Sequence, residues 1–238
     1  MKNAIVTGGT KGIGKAIVKM LLSEGFYVFV TYSKDIEAAY DASCSFSTIS
    51  DKYKIIQIDQ RDLNEITRFV DSVKNVCIDC IVCNAGGTIR KKMQDVTNEE
   101  WNDVMNIGLN SHFLLIRDLF DRINNDSRII FTGSVLGKYP HATSIAYGTM
   151  KGAVQSLALN LVKEFDGTGT TVNVVSPGFV ETEWQKNKPK EIRDSICKKI
   201  ALHRFATPEE VADVVKCIIN NGYINGAVIG VDGGYSYM

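Results

Sequence analysis

Hydrophobic residues along this chain follow two patterns that take turns. Short apolar runs, NAIVT (3–7), YVFVTY (27–32), KIIQI (54–58), CIDCIVC (77–83), RIIFTG (128–133), TVNVV (171–175) and GAVIGVDGG (226–234), read as strands closed by turn residues. Between them the apolar positions return every three or four residues, as at Ile13, Ala16, Ile17, Met20 and Leu21. That spacing lines one helix face. Thr97 to Glu100 and Thr207 to Glu210 are capping boxes, the second with proline at the first helical position, and Asp62 caps a helix reaching about Lys74. The first box opens a helix carrying Trp101, Val104, Leu109, Phe113, Ile116 and Phe120, read as unbroken over about 97–123. Another helix covers about 145–165. The alternation predicts an α/β chain of one domain over 1–238, a Rossmann-type, doubly wound parallel sheet of about seven strands with helices on both faces. A charged stretch at about 181–203 reads as an excursion that covers the site.

Ligands of such sheets sit at the carboxyl ends of the strands. Gly8 to Gly14, Asp59, Asn84 to Gly86, Ser134 and Pro177 to Thr182 all fall there. In the glycine turn GGTKGIG, Gly8, Gly12 and Gly14 permit a tight bend and leave backbone N–H groups at a helix start facing a phosphate. Further on, Tyr147 and Lys151 stand four residues apart and share a helix face. A phenol titrates near ~10, and a neighbouring ammonium pulls that value down towards useful proton transfer. Ser134, thirteen residues before the tyrosine, offers a hydroxyl to hold the reacting oxygen.

Composition mainly excludes. Lysine plus arginine equals aspartate plus glutamate at 27 each, so no basic face points to nucleic acid. No eighteen-residue apolar run is present, and the chain reaches its glycine turn too early for a signal-peptide core. A cytoplasmic protein without membrane spans is expected. Cys77, Cys80 and Cys83 have ligand-like spacing, but they lie in a strand, where Cys80 and Cys83 face opposite ways. They read as core thiols, and no metal is expected.

Together TGGTKGIG, Asp59, NAG (84–86), Ser134, YGTMK, SPGFVET and the terminal VDGG resemble the short-chain dehydrogenases/reductases over essentially the whole chain, most of all bacterial beta-ketoacyl-carrier-protein reductase-like members. The resemblance implies an oxidoreductase in which Tyr147 donates the proton for carbonyl reduction and Ser134 binds the substrate oxygen. Lys151 would hold the nicotinamide ribose and lower the tyrosine pKa. Gly8, Thr10, Lys11, Gly12, Ile13 and Gly14 would contact the nucleotide, Asp59 the adenine, and Asn84, Ala85 and Gly86 the adenosine ribose. Pro177, Gly178, Val180 and Thr182 would cradle the nicotinamide amide and pyrophosphate. It also implies a homotetramer, with a dimer as fallback.

The end of the second strand bears on the cofactor. Tyr32, Ser33 and Lys34 stand there without a carboxylate, and Lys11 adds charge from the glycine turn, which favours NADP. Asp35, one residue on, is the argument for NAD. Two departures from the family stand out. Gly108 occupies the place of its usual catalytic asparagine, which opens a rival function as a catalytically impaired nucleotide-binding sensor or scaffold. If glycine leaves room for water serving Lys151, then Gly108→Asn preserves or raises activity. The positions associated with carrier-protein docking hold Asp121 and Thr168, with Arg122 adjacent, so the substrate is either an acyl thioester or a free small carbonyl compound or alcohol.

Overall fold

The computed structural model describes residues 1–237. Chain order runs β1 (Asn3–Val6), α1 (Gly12–Ser23), β2 (Tyr27–Tyr32), α2 (Ile36–Ser47), β3 (Tyr53–Gln57), α3 (Leu63–Ser72), β4 (Ile78–Cys83), α4 (Asn98–Met105) and α5 (Ser111–Leu119). It continues with β5 (Ile123–Thr132), α6 (Ile145–Glu164), β6 (Thr171–Pro177), α7 (Glu183–Lys186), α8 (Lys190–Cys197), α9 (Pro208–Asn220) and β7 (Val228–Val231). The seven strands form one sheet in the order β3-β2-β1-β4-β5-β6-β7, and every pairing is parallel.

Strands covered on both faces are apolar almost throughout, and β6 is buried along its whole length. Alternation splits them between two cores. Ile5, Ile81, Cys83, Ile129 and Phe131 pack with α3, α5 and α6 on one face. Ala4, Val6, Cys80, Val82 and Ile130 pack with α1, α2 and α9 on the other. Fully buried side chains such as Leu21, Phe46 and Leu119 each contribute about 1.5–3 kcal/mol of transfer free energy. Cys80 and Cys83 do lie on opposite faces; burial pushes the Cys80 thiol up to about 12 and raises that of Cys83 as well. Such thiols are unreactive.

Helix starts follow the sequence closely. Both capping boxes are reciprocal, Thr97 with Glu100 and Thr207 with Glu210, and Asp62 accepts from the Asn64 N–H. One expected helix is different. The stretch over 97–123 is not a single α-helix, because a wider π-type turn over Asn106–Asn110 separates α4 from α5. The Ser111 N–H reaches back five residues to the Asn106 carbonyl. Side chains satisfy carbonyls beside it: Ser111 Oγ donates to Ile107 O at 2.9 Å, and His112 Nδ1 lies 3.0 Å from Gly108 O. Among the described residues no helix is long and apolar enough to cross a membrane.

Sheet order reverses direction between β1 and β4, and loops leaving their carboxyl ends part to opposite faces. A crevice opens there.

Candidate active site

Two turns, after β1 and after β4, are stitched together at the crevice floor. Gly8 takes the left-handed conformation at φ +62°, which turns the chain sharply out of β1. Gly14 has no room for a side chain, since a Cβ there would stand 2.6 Å from Asn84 Nδ2. That amide donates to the Thr7 and Gly8 carbonyls at 3.0 and 3.1 Å. Thr7 Oγ1 in turn accepts the N–H groups of Asn84 and Ala85 at 2.9 and 3.0 Å.

The Thr7 hydroxyl proton then has one direction left, His112 Nε2 at 3.2 Å. Nε2 is therefore the acceptor, and Nδ1–H donates to the Gly108 carbonyl. A buried neutral imidazole thus links the Asn84 turn to the π-type turn. Burial, and secondarily the Lys151 charge, push His112 down to about 3. Its unfolded value is near ~6.5, so the unfolded chain takes up the proton first as pH falls. The contribution of His112 to stability is complete above ~6.5 and declines below it, by about 2 kcal/mol at pH 5. We expect His112→Leu to lose about 1–3 kcal/mol at pH 7.5 through the stranded Thr7 and Gly108 groups, and to lose this acid sensitivity too. Urea unfolding of both proteins at pH 7.5 and pH 5 checks both parts.

Ser134 follows the end of β5, is 7% exposed, and accepts from the Leu136 N–H at 3.2 Å. Tyr147 and Lys151 sit in the first two turns of α6. Lys151 is 3% exposed, and its ammonium donates to the Thr132 carbonyl at 2.5 Å. It lies 5.8 Å from the centre of the Tyr147 ring. The expectation that this lysine lowers the tyrosine pKa is corrected here. Burial dominates and raises the phenol above its ordinary value; the Ser134 hydroxyl and the Arg90 charge pull it down only in part. Sharing a helix face does not aim one side chain at the other, and Lys151 is committed to Thr132. Burial brings Lys151 itself down to about 8.

Around these groups runs a cleft of about 710 Å³. Every site residue named from the sequence lines it, from the Gly8–Gly14 turn through Tyr32, Ser33, Lys34, Asp59 and Asn84–Gly86 to Ser134, Tyr147, Lys151, Pro177, Gly178, Val180 and Thr182. Thr182 closes against the glycine turn, where a Cβ on Gly12 would come 2.9 Å from Thr182 Cγ2. Trp184 of α7 stands edge-on to Tyr147, ring centres 6.3 Å apart, so the excursion after Val180 forms one cleft wall.

Several lining residues escaped the sequence. Arg61 grips Asp59 through Nε at 3.0 and 3.1 Å and reaches Asp103 at 3.7 Å. Its guanidinium holds the Asp59 carboxyl below the usual range. Lys11 pairs with Asp35 at 2.8 Å, joining the two residues that spoke for different cofactors. Arg90 also lines the cleft, as do Trp184 and Gln185, which belong to the excursion expected to cover the site. The room attributed to Gly108 is taken: a Cβ there would collide with the Met150 thioether, which is fully buried. Asn106 and Asn110 do not replace the missing asparagine, since Asn106 Nδ2 donates to the Arg61 carbonyl and Asn110 Nδ2 to Asn106. No group of three or more His, Cys, Asp or Glu side chains could share a metal among the described residues.

The model of the short chain dehydrogenases matches residues 2–193. The chain belongs to the short chain dehydrogenase family. Among its relatives, the 3-oxoacyl-(acyl-carrier-protein) reductase FabG of Aquifex aeolicus is 31% identical over 243 residues, covering 98% of this chain and 96% of that one. The 2-dehydro-3-deoxy-D-gluconate 5-dehydrogenase of Pseudoalteromonas atlantica is 30% identical, covering 98% and 95%. A short chain dehydrogenase from Burkholderia cenocepacia, solved in complex with NADP, superposes with a TM-score of 0.92 at 28% identity over 99% of this chain and 98% of that one. For this short chain dehydrogenase, the cleft and the site geometry therefore sit in a fold whose relatives carry oxidoreductase names.

Proposed function

We propose that this protein is an NADP(H)-dependent oxidoreductase interconverting a carbonyl and a secondary alcohol. One observation carries the proposal: Ser134, Tyr147 and Lys151 line the same cleft as the glycine turn, so a reacting oxygen and a dinucleotide meet in one crevice. NADPH, when bound, supplies the hydride. The Ser134 hydroxyl holds the substrate oxygen, and the Tyr147 phenol, protonated at neutral pH at its ordinary value and held more firmly so by burial, gives that oxygen its proton. Lys151, held by Thr132, sets its ammonium beside Gly86, 5.8 Å from the centre of the Tyr147 ring.

The glycine turn suits a pyrophosphate: Lys11 to Gly14 line the cleft at the start of α1, with no side chain at Gly12 or Gly14. At the ribose end Lys11, Lys34 and Asp35 all line the cleft, a net single positive charge. Asp35 is neutralised by Lys11 and also caps α2 through the Ala38 N–H, which leaves it poorly placed to take ribose hydroxyls. A 2′-phosphate would displace it on Lys11. Lys11→Ala is expected to weaken NADPH binding by about tenfold, the worth of one charge-assisted hydrogen bond, and NADH binding much less. Titration of both nucleotides, then a carbonyl panel read by NADPH oxidation, tests cofactor and activity in turn. Tight nucleotide binding with no turnover would favour the impaired-sensor alternative that Gly108 raised.

Relatives bear names for both a carrier-bound 3-oxoacyl group and a free sugar acid. Arg122 donates to the Asp118 carbonyl and Asp121 is exposed beside it, so no basic docking face forms there, which favours a free small molecule. We also propose a homotetramer. Phe113 on α5, Phe120 just after it and Leu159 on α6 remain 43–48% exposed, a broken apolar stripe of the kind subunits cover. Light scattering at micromolar concentration should give four chains, or two; a monomer would refute this.

A further inference from the structure

Cations at the mouth of the cleft are not all accounted for. Lys91 pairs with Glu100 at 2.5 Å, Lys186 pairs with Glu183, and Arg193 pairs with Glu181 while stacking 4.6 Å from the Phe205 ring centre. Among the described residues Arg90 and Lys188 make no ion pair. Arg90 comes from the loop after β4 and lines the cleft; Lys188 follows α7 outside that lining, its N–H donating to the carbonyl of the lining residue Gln185 at 3.1 Å. A planar guanidinium with no carboxylate partner, set in a cleft wall, is a receptor for a carboxylate.

The carboxylates near this mouth do not cancel that charge. Glu100 is held by Lys91 and its own capping box, Glu183 by Lys186, and Asp103 faces Arg61 at the adenine end. Two more observations agree. Gln185, in the wall of the same cleft, leaves its buried Oε1 without a hydrogen-bond partner, the only such side-chain atom among the described residues. A buried acceptor without a donor is costly, and a ligand O–H or N–H would satisfy it. The Arg90 charge is felt at the Tyr147 phenol, and Lys188 is held below its ordinary pKa by burial and then by Arg90 and Arg193. Lys188 thus feels the Arg90 charge, and of the two cations it is Arg90 that acts on the phenol.

We propose that the substrate is an oxo acid or hydroxy acid whose carboxylate, a few bonds from the reacting carbonyl, is received by Arg90, with Lys188 adding positive charge and Gln185 accepting from a neighbouring donor. This rests on the oxidoreductase assignment above and names its substrate class. The test uses short oxo acids with one, two or three carbons between carbonyl and carboxylate, each beside its methyl ester. A third arm compares an oxoacyl phosphopantetheine thioester with the phosphate-free pantetheine thioester. Binding to the full-length protein with NADP present is read by calorimetry, and turnover by NADPH oxidation.

At least one acid should bind tenfold or more tightly than its ester, and Arg90→Glu should abolish or invert that ratio, with Lys188→Glu reducing it. No acid preference in any pair, or a preference that Arg90→Glu leaves intact, overturns the proposal. So does discrimination found only in the phosphopantetheine arm. Reduction of acid and ester alike sinks this inference and leaves the oxidoreductase standing. Acid preference in binding without turnover supports the inference and counts against the activity.

Discussion

Tyr147→Phe is expected to lower carbonyl reduction by ~10²–10⁴-fold, the range typical of losing a positioned general acid, while NADPH affinity stays within a few-fold. The phenyl ring keeps its packing against Trp184 and the start of α6, so the loss is one of chemistry, not of folding. Burial raises the phenol above its ordinary 10.0 and sharpens the expectation. A protonated phenol is ready to donate, so reduction should vary little across neutral pH. Alcohol oxidation needs the phenolate and should climb as pH rises towards and past 10. Steady-state rates in both directions, at several pH values, for wild type and variant would check this. Equal turnover in the variant would remove Tyr147 from the mechanism.

Most of the fold was legible because local and global preferences agree. Each strand is an apolar run flanked by turn residues, and each capping box fell where a helix begins. The cleft residues were legible for a related reason: in a parallel sheet every carboxyl end faces one edge, so placing the strands placed Gly8, Asp59, Asn84, Ser134 and Pro177 together. What stayed hidden depends on contacts between distant segments. The π-type turn at 106–110 fits a pattern of apolar residues that an unbroken helix also fits. Its carbonyls are taken up by Ser111 and His112, and His112 is anchored on Thr7 in the turn after β1, more than a hundred residues away. Likewise the shared face of Tyr147 and Lys151 was readable, but the direction of the ammonium was set by Thr132 on β5. The pairing of Lys11 with Asp35 was hidden as well: spacing after the glycine turn brings Asp35 to the ribose end, but not onto Lys11.

Gly108→Asn is the second substitution expected to have a large effect, and in the direction opposite to the sequence-based expectation. Gly108 is buried, and the space beside it holds the Met150 side chain instead of water, so any Cβ meets the thioether. Overpacking of this kind costs ~1–3 kcal/mol, and asparagine adds an amide that must find partners in an apolar site. Met150 directly precedes Lys151 and lies within one turn of Tyr147, so a Met150 forced aside strains the helix segment that aims both groups. Activity should fall with stability, by tenfold or more. Met150→Ala alone should cost about 2–5 kcal/mol through the cavity it leaves. If the two residues trade volume, the double variant Gly108→Asn/Met150→Ala should be more stable than the sum of the single losses by ~0.5–3 kcal/mol and should regain part of the turnover. Urea unfolding and NADPH oxidation for all four proteins complete the cycle. Additive losses, or a Gly108→Asn variant as active and stable as wild type, would show that Met150 swings away freely and that the glycine marks no rebuilt contact.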